Sequence, residues 1–282
     1  MINPVLKREL KTKGRSFRTT LMMIFYILII SSVMSVVLYT SNSGYNSYMG
    51  FDPESIKEIY FGISILQMAL ICLIIPATTS GSICGERQRK TFNLLICTKM
   101  SSWSIVLGKL FASMIQTILL LILTIPIISI LFLYGGLSIG NIILLFLFYL
   151  VTAILLGSIG LFSSAYFKKA VTATVTSYFV MLLLTVGTIY VVTVGVRIFD
   201  TELTLETVKW IARLLYINPF TGLTAILSQQ LGADIFLGDI ANITFIKRTI
   251  IYNLSFDLLF SFLLLYLTTL KINPMKGIKI FK

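Results

Sequence analysis

The chain has 282 residues, of which 57% are hydrophobic and only 12% are charged, and its formal net charge is +12. This balance lies far from that of a soluble globular domain, so the composition predicts an all-α integral membrane protein. The sequence has no histidine and only three cysteines. It therefore offers no candidates for a metal site, a disulfide framework or histidine-based acid–base catalysis.

The N-terminal residues 3–18 precede the first long apolar stretch. Asn3 can cap a helix, and Pro4 suits the first helical position because its missing N–H costs nothing there. Apolar and basic residues then alternate, which predicts a short helix lying in the inner membrane interface. A merely basic tail is the alternative.

Six apolar windows are long enough to cross a bilayer core of about 30 Å as helices of about 20 residues. They are Thr19–Tyr39, Tyr60–Ser80, Leu110–Leu133, Ile142–Phe167, Val171–Val196 and Thr249–Leu270. We expect them to form one transmembrane domain over residues 1–282.

The basic residues predict the orientation of these spans. With the N-terminus inside, the inner segments hold 17 of the 23 lysines and arginines and two acidic residues, whereas the outer segments hold six bases and eight acids. Cytoplasmic loops carry the basic excess, so both termini are predicted to be cytoplasmic. Orientation and contact with anionic lipids explain the positive charge, and no nucleic-acid partner is expected.

Residues 85–100, between the second and third spans, are predicted to form a short charged helix on the cytoplasmic side. Glu86 is placed to pair with Arg89 and Lys90 at i+3 and i+4, while Phe92, Leu95 and Ile96 share one side. Such a helix either floats at the membrane interface or presents its apolar face to a cytoplasmic partner. The pattern alone leaves both uses open.

The fifth span carries polar and soft side chains at helical spacing, which we call the hydroxyl stripe: Thr174, Tyr178, Met181, Thr185 and Thr188. The stripe either lines a path for an amphipathic substrate, with Gln67 of the second span as a companion, or holds helices together.

The outer segment, residues 197–248, is predicted to form a cap. Leu205, Val208, Ile211 and Leu215 recur at helical spacing, and Asn218-Pro219 ends that pattern. The apolar stretch that follows, Phe220–Leu237, could be a seventh span. It contains Asp234, however, and an aspartate at mid-membrane costs about 3 kcal/mol, so we expect re-entrant or outer-surface elements instead.

Asp257 is the one ionisable residue well inside a predicted span. It shares a helix face with Asn253 and Ser261 at i−4 and i+4. Intramembrane acids often mark ion pathways, so a cation or proton relay is one interpretation. A polar face that holds helices together or touches water is the other.

No nucleotide-binding loop is present. Gly108-Lys109 is followed by leucine and lacks the upstream glycine of a phosphate-binding loop, so we expect no ATP hydrolysis by this chain and no cofactor within it.

The stretch GERQRKTFNLLICTKMSSWSIVLGK, residues 85–109, resembles the loop between the second and third spans of permease subunits from the type-2, exporter branch of the ATP-binding-cassette transporters. NPVLKREL near the start is similar to the N-terminal elbow helix of that family, at Pro4, Leu6, Arg8 and Glu9.

The resemblance implies a half-transporter. Two permease copies, or this chain and a related permease, would form the pore, and two cytoplasmic ATPase subunits carrying ATP and Mg would dock beneath it. It assigns contact with the ATPase to Glu86, Arg87, Arg89, Lys90, Thr91, Phe92, Leu94 and Leu95. It also implies a pathway between the second and fifth spans, matching Gln67 and the hydroxyl stripe, and re-entrant helices at Leu223–Leu231.

The function predicted is export of a peptide, drug-like or lipid-like substrate across a plasma membrane, and the lysine- and isoleucine-rich usage suggests a bacterium. An ion-coupled secondary transporter would need more intramembrane ligands than Asp257 and usually an internal repeat. A membrane anchor or sensor subunit without transport is the third alternative.

Overall fold

A computed structural model of the chain describes residues 4–14, 16–42, 53–92, 101–135, 138–198, 213–231 and 243–272. Within these ranges the chain is helical and contains no strand. The α-helices are α1 (Pro4–Gly14), α2 (Phe17–Asn42), α3 (Pro53–Thr79), α4 (Cys84–Gln88), α5 (Ser102–Gly135), α6 (Ile139–Tyr166), α7 (Ala170–Leu182), α8 (Thr188–Ile198), α9 (Pro219–Leu231) and α10 (Ile243–Ile272). A π-helical turn, Leu183–Gly187, joins α7 to α8, and a 3₁₀ turn, Leu215–Ile217, precedes α9.

Six helical segments are long and apolar enough to cross a membrane, which confirms the predicted number of spans. They are α2, α3, α5, α6, the α7–α8 segment and α10, and we number them first to sixth. After the predicted orientation, we call the end of the bundle that holds α1 and α4 the inner end and the opposite end the outer end.

The third span differs from its predicted bounds. Its helix begins at Ser102, eight residues before the predicted start, because the serine-rich turn and Trp103 continue the helical register of the apolar run. Gly108 and Lys109 are therefore helical residues of a span and not part of a loop.

The fourth span is the centre of the bundle. Of its apolar window 56% is buried, as in the second span, against 11% for the fifth span. α6 packs against the second, third, fifth and sixth spans. Gly160 allows the fourth span to lie close to the end of the second. A Cβ atom there would be 1.9 Å from Thr79 Oγ1 and 3.2 Å from the backbone nitrogen of Ser80.

α9 covers the described part of the apolar stretch Phe220–Leu237, and this part is too short to cross a membrane. Its 13 residues span about 20 Å at 1.5 Å per residue, which is less than a bilayer core of about 30 Å. Pro219 begins the helix as the Asn218-Pro219 break predicts. Residues 199–212 and 232–242, with most of the predicted amphipathic cap helix, lie outside the described residues.

The predicted helix over residues 85–100 is interrupted. α4 ends at Gln88, and Lys90 adopts a left-handed backbone conformation with φ of 58°, which a helix cannot continue through. Phe92 is helical again, and residues 93–100, including Leu94, Leu95 and Ile96, lie outside the described part of the chain.

Candidate functional site

A buried lysine joins three elements at the inner end. Lys109 of the third span is only 3% exposed. Its Nζ lies 3.0 Å from Glu9 Oε1 of α1, 3.0 Å from Glu86 Oε1 of α4 and 3.0 Å from the carbonyl oxygen of Ser82. We call this arrangement the Lys109 junction.

The junction satisfies the lysine completely. An ammonium has three donors, and each has an acceptor here. The two carboxylates are 23% and 15% exposed for Glu9 and Glu86, so water screens them only in part. The other oxygen of Glu86, Oε2, is buried and has no hydrogen-bond partner among the described residues.

α4 is also fixed to the inner end of the fourth span. Ser164 Oγ accepts hydrogen bonds from the backbone nitrogens of Ile83 and Cys84, at 2.9 and 3.0 Å, and so caps the start of α4. Arg87 Nη1 donates to the carbonyl oxygen of Ala165 at 2.8 Å. The inner segment is therefore held by α1 and by the third and fourth spans at once.

A cavity of about 250 Å³ opens between α1 and α4. Its lining includes Arg8 and Thr12 of α1, with Glu86, Arg89 and Thr91 on the opposite side. Charges of both signs face it, so the cavity suits a polar side chain better than an apolar one.

Some of the predicted coupling residues lie inside the protein and others are exposed. Glu86 faces Lys109 and makes no ion pair with Arg89 or Lys90 in the described residues, which corrects the predicted pairing. The cause is that the chain turns at Lys90 and carries both bases outward, where they are exposed. Phe92 is buried, with the Arg87 guanidinium 4.8 Å from its ring centre.

Of the predicted elbow residues, Pro4 is the first residue of α1, as predicted. Glu9 belongs to the Lys109 junction, Arg8 is exposed at the cavity, and Leu6 is half-buried.

The comparison with protein families decides the class. The family model described as "ABC-2 family transporter protein" matches residues 37–270, which include α4, the second to fifth spans, all but the last two residues of α10, and only the last six residues of α2. The chain belongs to the ABC-2 transporter family. No match was found among curated proteins.

Membership makes this chain a multi-pass ABC transporter permease. In this family the permease is the membrane subunit, normally without ATPase activity, and works with an ATP-binding subunit that is separate from it.

The hydroxyl groups of the stripe in this ABC-2 permease form hydrogen bonds within the chain. The Thr174 hydroxyl lies 2.8 Å from that of Ser80, and the Tyr178 hydroxyl donates to the carbonyl oxygen of Leu73, both in the second span or just after it. Thr185 and Thr188 donate to carbonyl oxygens of their own preceding turn, and Met181 is buried. Thr174 and Tyr178 thus hold the inner half of the fifth span against the second.

Gln67 does not join the stripe. It is fully buried, and its Nε2 donates to Thr124 Oγ1 of the third span at 3.1 Å. The structure therefore brings the second and third spans together at Gln67, not the second and fifth.

Two asparagines connect the outer ends of the spans. Asn218 Nδ2 donates to the carbonyl oxygen of Thr185 in the π turn at 2.9 Å, and its Oδ1 accepts from the Phe220 nitrogen to cap α9. Asn253 Nδ2 of the sixth span donates to the carbonyl oxygens of Tyr216 and Asn218, at 2.9 and 3.0 Å. We call this arrangement the asparagine hub.

From the sequence alone, neither the Lys109 junction nor the role of Asn218 in the hub is predicted, whereas for Asn253 a polar face that holds helices together is one of the two interpretations. Lys109 belongs to the failed nucleotide-binding motif and to the family-like stretch 85–109, yet a lysine in helical register with an apolar run is itself a signal, since such a residue needs a partner. Asn218 carried a signal too, because asparagine before proline is a common helix start.

Proposed function

We propose that this permease forms the membrane half of an ATP-driven exporter, and that the Lys109 junction transmits motion from a cytoplasmic ATPase into the spans. The observation that supports the proposal is that one buried ammonium ties α1, α4 and the third span together. A force on any one of these elements must move the other two or separate opposite charges.

The exposed bases on the turn after α4 supply the contact for the ATPase. Arg89 and Lys90 extend from the inner end, with no ion pair in the described residues. Between them and α1 lies the mixed-charge cavity, which would receive a polar side chain of the partner. ATP and Mg would be bound by that partner, in two copies, one beneath each of two permease subunits.

A second permease subunit would pack against the fifth span. Val171, Val175 and Phe179 on this span are 62–74% exposed, so the other described helices leave them largely uncovered. This apolar face favours a drug-like or lipid-like substrate over a strongly polar one, and a peptide would need apolar side chains. A homodimer and a pair with a related permease satisfy the same geometry.

The proposed orientation places both termini in the cytoplasm of a bacterium, with the asparagine hub and α9 in the outer half of the bundle. α9, re-entrant from that side, would close the exit while the inner end is open. Motion of the junction would then be followed by release of the hub.

The test is recovery of the ATPase with purified permease. The protein is extracted from its own host into nanodiscs, and the co-purifying chains are identified and assayed for ATP turnover. The variant Arg89→Glu with Lys90→Glu should lose the ATPase by at least about tenfold, equivalent to about 1.4 kcal/mol of binding free energy. Its matched control is Lys168→Glu with Lys169→Glu, at the exposed turn between the fourth and fifth spans.

Retention of the ATPase by the Arg89, Lys90 variant would contradict the assigned contact. ATP hydrolysis by the permease alone would contradict the whole proposal. Export is tested with inside-out vesicles and an amphipathic dye, where ATP should drive the dye into the lumen; ATP-driven loss of dye from the lumen would mean import.

A further inference from the structure

The sixth span buries three acceptor oxygens for which the described chain provides no donor. They are Asn253 Oδ1 and both carboxyl oxygens of Asp257. Asn253 and Asp257 are each 0% exposed, and residues at i and i+4 on a helix lie one above the other, about 5–6 Å apart at Cβ. Buried polar atoms in folded proteins nearly always have a partner, so this group requires an explanation.

Asp257 lies deep in the span. It is 11 residues from Ile246 and 15 from Ile272, the ends of the apolar window, which places it about 16 Å from one end and about 22 Å from the other. Neither end of the membrane supplies a short route for water in this conformation.

Several hydroxyl and amide donors of the fourth and sixth spans already have other acceptors. The Asn253 amide nitrogen serves the asparagine hub, and because both of its partners are carbonyl oxygens the orientation of this amide is fixed. Ser261 donates to the carbonyl oxygen of Leu258, and Thr152 of the fourth span donates to that of Phe148. Tyr149 donates to the carbonyl oxygen of Ser64.

The elements packed against the sixth span also bring no counter-charge close to Asp257. The fourth span and α9 contain no lysine, arginine, aspartate or glutamate, and Lys109 of the third span is held in its own junction. The other titratable or charged groups on these elements and on the sixth span itself are Tyr134, Tyr149, Tyr166, Tyr216, Lys247, Arg248, Tyr252, Tyr266 and Lys271.

These groups do not neutralise Asp257. Lys247 and Arg248 lie more than two turns away toward the outer end and are exposed, and Lys271 sits over the Tyr166 ring at the inner end. An ionised carboxylate with neither a donor nor a counter-charge is too costly in an apolar interior, and such a group takes up a proton instead.

We propose that Asp257 is a proton-binding site: its side chain is a neutral carboxylic acid in this conformation and exchanges its proton when the asparagine hub opens. The ligand is a proton, bound by formation of one O–H bond on the carboxylate and released to water by breaking that bond. The site stands on the burial of this chain's own residues and does not depend on the ATPase partner.

The asparagine hub and α9 seal the site from the outer end. Gly222 of α9 lies so close to Asn253 that a Cβ atom there would be 2.4 Å from Asn253 Oδ1 and 2.9 Å from Phe148 Cζ. The two hydrogen bonds of Asn253 go to the carbonyl oxygens of Tyr216 and Asn218, directly before α9, and Asp257 lies one turn further along the sixth span. Opening of the hub is therefore the route by which outer water reaches the carboxyl.

The experiment is infrared spectroscopy of the full-length permease in nanodiscs, comparing wild type with Asp257→Asn. At neutral pH we expect the difference spectrum to show the C=O stretching band of one protonated carboxylic acid per chain. This band should give way to carboxylate bands as the pH rises. Carboxylate bands already present at neutral pH would overturn the proposal.

Two further measurements test whether the ligand is a proton and whether the asparagine hub closes the site. If Na⁺ or K⁺ at neutral pH converts the acid band to carboxylate, the site binds a monovalent cation and the proton assignment is wrong. Deuterium exchange of the acid proton should be at least about tenfold faster in Asn253→Ala. A decrease of about 1.4 kcal/mol in the free energy of hub opening raises the population of the open state tenfold. An unchanged exchange rate in a folded Asn253→Ala protein would refute the role of the hub.

Discussion

Replacing Lys109 with methionine should destabilise the inner end of the permease and uncouple it from its ATPase. The substitution keeps an unbranched side chain, one atom shorter, and removes the ammonium between Glu9 and Glu86. Both carboxylates then face each other without a donor, in a site where they are 23% and 15% exposed.

The expected loss follows from this burial. Breaking a fully buried ion pair costs about 3–5 kcal/mol. Because the carboxylates keep some contact with water, which screens their charge, we expect about 2–3 kcal/mol here. At about 2 °C per kcal/mol for a chain of this size, the thermal midpoint in nanodiscs should fall by about 5 °C.

The carboxylates provide the matched variants. Glu9→Gln or Glu86→Gln alone leaves Lys109 with one carboxylate and equal charges, so each should cost less than about 1 kcal/mol, near the value for a single net hydrogen bond. The triple variant Lys109→Met, Glu9→Gln, Glu86→Gln removes all three charges and should recover most of the lost stability.

The functional readout is ATP hydrolysis by the assembled transporter. In Lys109→Met, stimulation by substrate should disappear while basal hydrolysis by the ATPase persists, because α1 and α4 no longer move with the third span. A Lys109→Met permease with wild-type stability and full stimulation would refute the junction as a mechanical link, as would a triple variant no more stable than the single one.

Three other substitutions test the packing of the spans. Gly160→Ala should destabilise the permease by about 1–3 kcal/mol, typical of overpacking, because the new methyl meets the branched carbon of Thr79 and a backbone nitrogen; thermal unfolding measures it. Asn253→Ala should lower protection of α9 amides in hydrogen exchange by about tenfold or more, since two hydrogen bonds between elements are lost. Tyr178→Phe should cost about 1 kcal/mol by removing one hydrogen bond between the fifth and second spans, measured as thermal midpoint.

Controls distinguish these effects from general damage. Gly62→Ala, also in a span, has no heavy atom within 4 Å of the new methyl and should keep or slightly raise the midpoint, since alanine favours a helix; equal losses at both glycines would contradict the close-approach argument. For Asn253→Ala, amides at the inner end should keep their protection. A Tyr178→Phe permease that is as stable as wild type would mean that the stripe does not hold the fifth span.

The spans were predictable and the sites largely were not. An apolar run of about 20 residues by itself predicts a membrane span. Pro4 and Pro219 predict helix starts because proline lacks an N–H and has a fixed φ. The Lys109 junction joins residues 100 positions apart in sequence, so no local pattern reveals it. Placement of Glu86 was wrong because i+3 and i+4 partners assume a helix that Lys90 interrupts. The π turn at Leu183–Gly187 has no signal in the sequence, since its residues also suit an α-helix.

The early start of the third span makes it a lever. From Ser102 to Lys109 the helix extends about 10 Å toward the inner end, and from Lys109 to Gly135 about 39 Å toward the outer end. If Lys109 is the pivot, a small tilt at the inner tip becomes a displacement nearly four times larger at the other end, unless the helix bends at Pro126. Trp103, near that tip, stacks on Phe262 of the sixth span with ring centres 6.1 Å apart, so the short arm also pushes on the helix that holds Asp257.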